Sequence, residues 1–173
     1  GLTSAPLVWA AHRAGVPVLL LEQNAIPGRA TRWLAPCARV ICTSFSECID
    51  LLPRHVPAIT CGNPVRCEIA AMATEPAPSA CRKTLLVLGG SQGAQALNLA
   101  VLELVRQRRA EFADWTIIHQ TGPQSAGFVR QVYRELHQPH EVADFFANLT
   151  VQYRQADLVI SRAGATTLAE LAC

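Results

Sequence analysis

The stretch 84–98, T-L-L-V-L-G-G-S-Q-G-A-Q-A-L-N, constrains this chain more than any other. An apolar run from Leu85 to Leu88 empties into Gly89-Gly90-Ser91-Gln92-Gly93, and a helical pattern begins at once. Leu97, Ala100, Val101, Leu104 and Val105 recur at helical spacing, which predicts a helix with those residues on its core face. Arg106, Arg108 and Arg109 follow, where positive charge suits the negative end of the helix dipole. Strand, glycine turn and helix in succession are how α/β folds build a phosphate site. Backbone N–H groups at the helix start meet the anion, and glycines let it approach. The same five residues also fit a plain strand-to-helix turn, because G-G-S-Q-G is neither G-x-G-x-x-G nor a P-loop. Ser91 could cap the helix, donate to a phosphate oxygen, or do both.

The rest of the chain repeats this alternation. Helix is expected over 4–13, with Ser4 as N-cap and Gly15 at its stop. Residues 17–21 form a continuous apolar run, which predicts a parallel strand covered on both faces. It ends in Glu22-Gln23-Asn24, at the strand edge where ligands of open α/β sheets gather; taken alone, Asn24 reads first as turn chemistry. A short helix over 28–35, a strand over 39–43, a brief helix over 46–52 and a strand over 56–60 follow. Then comes Gly62-Asn63-Pro64-Val65-Arg66, an extended or turn segment. Arg66 is placed to pair with an acidic ligand or to be solvated.

Residues 67–82 carry Pro76 and Pro78 among small side chains and mark the best boundary. They separate a segment 1–66 from a segment 83–173. Beyond them strands are expected at 85–88, 115–120 and 158–160, with a shorter strand or turn at 142–146, helices over 123–136 and 148–155 and a last one starting at 165. Strands separated by helices require a parallel βαβ arrangement, and the pattern is that of two Rossmann-like domains. The second glycine-bearing turn, Ser161-Arg162-Ala163-Gly164, leads into Thr167-Leu168-Ala169-Glu170. That tetrad fits a capping box; alternatively the Glu170 carboxylate holds two ribose hydroxyls.

Composition removes several function classes. Half the residues are hydrophobic and 16% are charged, enough for a sizeable core, and a dispersed net charge of +2 argues against nucleic acid. The seven cysteines form no C-x-x-C pair, so reduced thiols in a cytoplasmic protein are expected, not a zinc site. No D-x-D occurs, so no carboxylate-held metal is implied. No apolar run approaches the ~18 residues that span a bilayer, and nothing reads as a signal peptide. The chain starts at Gly1 and stops at Cys173 inside a helical pattern, and is read as a fragment cut at both ends.

In order along the chain stand G-L-T-S-A-P, L-E-Q-N-A-I-P-G, G-N-P-V-R, G-G-S-Q-G-A-Q-A-L-N, H-Q-T-G and A-D-L-V-I-S-R-A-G-A-T-T-L-A-E. Together they resemble the MurG family. These are transferases that move N-acetylglucosamine from UDP-N-acetylglucosamine to the undecaprenyl-linked muramyl-pentapeptide precursor of peptidoglycan, converting lipid I to lipid II. The resemblance covers nearly the whole chain. It implies a GT-B fold of two Rossmann-like domains, both incomplete here, with the later half binding the donor. Ser91 would contact the diphosphate, with Gly90, Gln92 and Gly93 shaping its loop. Phe146 falls where the family makes a backbone contact to uracil, usually from isoleucine. Ala165, Thr166, Thr167, Leu168, Ala169 and Glu170 would wrap the nucleotide, with Glu170 on the ribose. Asn24 and Arg66 would approach the donor from the earlier half.

Leu21 departs from the family, which commonly has histidine there. The family's first glycine loop, with its candidate general base, and its donor-sugar glutamine motif have no counterpart in these residues. The resemblance further implies an inverting transfer without a tightly bound cofactor, by a peripheral enzyme on the cytoplasmic face of the bacterial inner membrane. Ile26, Trp33 and Leu34, with Arg29 and Arg32, could dock on that membrane surface, although a core-packing helix fits them better. Two rivals are a related GT-B enzyme with another lipid acceptor and a nucleotide-binding module without catalysis.

Overall fold

A computed structural model describes residues 2–74, 82–90 and 92–173. Ser91, and Pro76 and Pro78 of the expected linker, lie outside the described residues. The chain divides into two compact units, Gly1–Pro64 and Val65–Cys173. Both are α/β with parallel sheets, as the alternation of elements requires.

In the first unit a 3-10 turn, Leu2–Ser4, leads into α1 (Ala5–Arg13). The helix ends on Gly15 at φ 70°, whose N–H donates to the His12 carbonyl while Val16 N–H donates to Ala11. This is the glycine stop its position predicts. Strands β1 (Leu19–Glu22), β2 (Val40–Thr43) and β3 (Ala58–Thr60) pair in that order, all parallel. The helix α2 (Arg29–Leu34) and the 3-10 turns Ala35–Cys37 and Ser46–Leu51 lie between them. Ile41 packs with Ala35, Cys48, Leu52 and Val56, and Leu20 and Ala58 join them from the same register row. The expectation that β1 is covered on both faces does not hold among the described residues. The connectors pack on the Ile41 face only, and Leu19, Leu21 and Ile59 are exposed on the other.

The second unit begins with α3 (Cys67–Met72), a helix inside the stretch expected to be linker. Then follow β4 (Lys83–Leu88), α4 (Gln95–Gln107), β5 (Trp115–Gln120), α5 (Ala126–Glu135), β6 (His140–Ala143), α6 (Thr150–Gln155), β7 (Leu158–Ser161) and α7 (Ala165–Leu171). The sheet order is β6-β5-β4-β7, every pair parallel. Alternation along β4 sends Leu85 and Val87 to one face, against Val101, Val105, Val129 and Tyr133. Leu86 and Leu88 go to the other, against Phe146, Leu149 and Tyr153. Both faces are covered, which is why β4 reads as an unbroken apolar run.

One boundary and one helix face differ from expectation. β6 occupies His140–Ala143, ahead of the 142–146 expected, and α4 is rotated about one position from its predicted face. Asn98, Val101, Leu102 and Val105 are buried while Leu104 is 39% exposed. The reason is Asn98, a polar residue whose amide finds buried partners and so takes a core position that an apolar pattern denies it.

Candidate functional site

In the second unit the chain runs from β4 outward to β5 and β6, then returns to add β7 on the opposite side of β4. The carboxyl ends of β4 and β7 therefore flank a topological switch point, where open α/β sheets bind ligands. Both glycine turns stand there, since Leu88 pairs with Ser161.

The first turn is built from backbone. Gly89 N–H donates to the Gln120 carbonyl (3.0 Å) and Gly93 N–H to Gly90 (3.0 Å). Gly93 and Gly122 both have positive φ and cross in contact: a Cβ on Gly122 would come within 2.6 Å of Gly93 N and Cα, and one on Gly93 would collide with the Thr121 carbonyl oxygen. No other residue fits either position. Helix α4 then starts after Ala94, and among the described residues no side chain caps it, so its first N–H groups face solvent or an anion. Gly90, Gln92 and Gly93 are thus in one turn at the switch point.

H-Q-T-G supports this turn from beneath. Gln120 Oε1 accepts the Phe146 backbone N–H at 3.0 Å, so a main-chain contact from Phe146 to a base is left to its carbonyl. His119 is fully buried between Tyr133 and Asn98. These supporting side chains carry no sequence signal beyond the motif itself.

The second turn differs. Helix α7 starts after Gly164 without a side-chain cap, and the capping box expected of Thr167 and Glu170 is not formed. Glu170 is buried and engaged elsewhere. Its Oε1 accepts from Arg66 Nη2 (2.9 Å) and Nε (3.1 Å), and its Oε2 from the Tyr153 hydroxyl (2.9 Å). Two strong interactions outcompete a cap on an exposed turn. Arg66 is thereby part of the second unit; its side chain is 45% exposed and its Nη1 also reaches the Ala147 carbonyl at 3.4 Å. Burial, and then the Glu170 carboxylate, push the Tyr153 phenol far above its ordinary range, so it stays a donor. Tyr153 escaped sequence reasoning because nothing local links residues 17 positions apart. Of Ala165, Thr166, Thr167, Leu168 and Ala169, none is buried, so the side of the turn beside Glu170 is accessible.

In the first unit the strand-end trio closes on itself. The buried Glu22 carboxylate accepts from Asn24 N–H (3.0 Å), Asn24 Nδ2 (2.8 Å) and Gly28 N–H (2.9 Å). Burial alone would raise the Glu22 pKa; the Thr31 side chain and the Gly28 and Asn24 donors outweigh it and hold it below the usual range. Asn24 has spent an amide N–H on this clasp, and its Oδ1 takes no hydrogen bond among the described residues. Ile26 and Trp33 are exposed beside Arg29 and Arg32, whereas Leu34 belongs to the core. No helix among the described residues is long and apolar enough to cross a membrane.

Residues 84–173 match the glycosyltransferase family 28 C-terminal domain. Two similar proteins are UDP-N-acetylglucosamine--N-acetylmuramyl-(pentapeptide) pyrophosphoryl-undecaprenol N-acetylglucosamine transferases. That of Desulfotalea psychrophila is 40% identical and that of Pseudomonas paraeruginosa 42% identical, each along 99% of this chain and 47% of its own length. The chain spans about half the length of these curated relatives. The crystal structure of Acinetobacter baumannii MurG superposes with a TM-score of 0.65 at 30% identity, over 99% of this chain and 47% of that one. An S. aureus MnaA–UDP co-structure shares the fold, with a TM-score of 0.61 at 14% identity.

Proposed function

Since this chain belongs to glycosyltransferase family 28, we propose that it works in the transfer of N-acetylglucosamine from UDP-N-acetylglucosamine to undecaprenyl-pyrophosphoryl-N-acetylmuramyl-pentapeptide. The observation that carries this reading is the convergence of a backbone-built glycine turn and a buried, oriented carboxylate at one switch point. A nucleoside diphosphate asks for that pair: N–H groups for its phosphates and a carboxylate for its ribose.

In this reading the free amides at the start of α4, with Gly90, Ser91, Gln92 and Gly93, take the diphosphate. Glu170 takes the ribose hydroxyls, and the open turn Ala165–Ala169 lies along the nucleotide. Arg66 serves both ends. Its Nε and Nη2 hold Glu170 while the exposed Nη1 gives up the long Ala147 contact for a phosphate oxygen. Charge growing on departing UDP is then met by a guanidinium and preorganised amides, as electrostatic stabilisation of a leaving group requires. Asn24, whose Oδ1 accepts no hydrogen bond among the described residues, offers that oxygen to a substrate hydroxyl. The transfer inverts the anomeric carbon and uses no tightly bound cofactor or metal. The exposed Ile26 and Trp33 with Arg29 and Arg32 rest on the cytoplasmic membrane surface where the lipid-linked acceptor lies.

Calorimetric titration of the chain with UDP-N-acetylglucosamine, UDP-glucose and NAD tests the donor site. Saturable binding of both UDP-sugars, tighter for UDP-N-acetylglucosamine, and none of NAD is expected. Equal binding of NAD, or no binding of any UDP compound, overturns it. Assays of the full-length protein with muramyl-pentapeptide and diacylglycerol acceptors decide the acceptor.

A further inference from the structure

A hydrogen-bond chain with one fixed direction runs beneath the first glycine turn. The Thr121 carbonyl can only accept, so the Asn98 group 3.0 Å from it is the amide nitrogen. Asn98 Oδ1 therefore faces His119 Nε2 at 3.1 Å, and an amide oxygen only accepts, so Nε2 carries the ring proton. Nδ1 is then bare and accepts the Tyr133 hydroxyl at 2.9 Å. Asn98, His119, Thr121 and Tyr133 are all fully or almost fully buried. Burial holds the imidazole neutral, with its pKa lowered to about 4, and pushes the Tyr133 phenol up.

The end of the chain is the Thr121 carbonyl, the atom over which Gly93 crosses. The neighbouring residue, Gly122, is the other half of that crossing. We infer that Tyr133, His119 and Asn98 are positioning residues for the donor-phosphate turn: they fix the Thr121 carbonyl, and through it the Gly93 crossing and the height at which the N–H groups of Gln92 and Ala94, on either side of it, are presented. A histidine that merely filled the core would need no single tautomer and no link to the turn. What the turn binds rests on the function proposed above; the link itself does not.

Two variants of the whole chain separate positioning from bulk stability. His119→Met keeps the volume and removes the donor, whereas His119→Gln keeps an N–H that can reach Asn98 Oδ1. Well below melting, His119→Met should speed amide exchange of 92–94 and 121–122 by roughly tenfold while β4 and α5 core amides change less than about twofold. It should also weaken UDP binding by about fivefold or more, and His119→Gln should recover most of both losses. Exchange that rises equally in turn and core, or Met and Gln variants that behave alike, overturns the inference. If the wild-type chain binds no UDP, the nucleotide reading fails while the exchange pattern still decides the positioning. Should His119→Met not fold, Tyr133→Phe carries the test, with an expected rise of about threefold confined to the turn.

Discussion

The two units end their sheets with opposite building materials. In the first, the polar edge is closed by a side chain: Glu22 gathers Asn24 and Gly28 N–H groups and the Asn24 amide, and the loop is satisfied without a ligand. In the second, the edge is closed by backbone crossing backbone at Gly93 and Gly122, and the amides at the start of α4 are left uncapped. A carboxylate clasp fills its own donors, whereas a glycine crossing leaves donors available. The second edge therefore has donors to offer a ligand, whereas the first spends its donors on Glu22.

Glycine substitutions should show the contrast at its largest. Gly15 and Gly93 both have positive φ, but a Cβ on Gly15 meets nothing within 4 Å and one on Gly93 meets carbonyl oxygen. Gly15→Ala should cost about 1 kcal/mol, the left-handed penalty alone, and Gly93→Ala roughly 3–5 kcal/mol, because backbone must also move. Urea midpoints of the two variants check this. Equal losses would mean that the crossing is loose, and would remove the basis for a rigid anion turn.

Acid comes next, because each unit holds a buried group whose pKa is lowered, a carboxylate in the first and a histidine in the second. An unfolded histidine binds a proton near pH 6.5, whereas native His119 resists it down to about 4. Its contribution is whole above pH 6.5 and drains away as pH falls towards 4, amounting to ~3 kcal/mol. Native Glu22 titrates below its ordinary 4.5, so its contribution is whole above 4.5 and is lost as pH falls through the lowered value. Between pH 6.5 and 4.5 the second unit alone should weaken. Urea melts at pH 7 and 5, read by Trp115 with Trp9 and Trp33 replaced by Phe, should show it; first-unit melts read by Trp9 and Trp33 should not shift.

Much of this was legible in the sequence, and the exceptions share a cause. Element order, the glycine turn and the Gly15 stop follow from local patterns, which are short-range physics. The core face of α4 was misplaced because periodicity counts apolar residues, and Asn98 is buried by virtue of partners in β5 and the turn after it. For Glu170 the local pattern offers a capping box beside a ribose contact, and it shows neither Arg66, 104 residues away, nor Tyr153, 17 residues away, as its partners.

The two carboxylates give a third, smaller contrast. Arg66→Ala leaves the buried Glu170 with one donor and should cost roughly 2 kcal/mol; on the proposed function it should also lower turnover in the full-length protein. Asn24→Ala removes only the Nδ2 donor, leaves Glu22 the backbone N–H groups of residue 24 and Gly28, and should cost about half as much. Thermal melts of both variants check the ratio. Similar losses would mean that Arg66 contributes no more than a neutral partner and would weaken its case as the charged element of the site. Glu170→Gln, by contrast, cannot separate stability from binding, since it disturbs Arg66 and Tyr153 together.

Tyr153→Phe isolates the remaining half of Glu170 with the least disruption. The hydroxyl holds Oε2 at 2.9 Å and the ring packs beneath β4 and β5, so phenylalanine keeps the packing and removes one charge-assisted bond. A stability loss of ~1 kcal/mol is expected. If Glu170 holds the ribose, its freed Oε2 should also become a poorer gauge of hydroxyl position. UDP should then lose about threefold in affinity while 2′-deoxy-UDP loses less, narrowing the gap between them. Titration with the two nucleotides measures that gap directly. A gap unchanged from wild type would take the ribose away from Glu170 and leave the Arg66–Glu170–Tyr153 set as structural support, with the glycine turn alone carrying the case for a nucleotide.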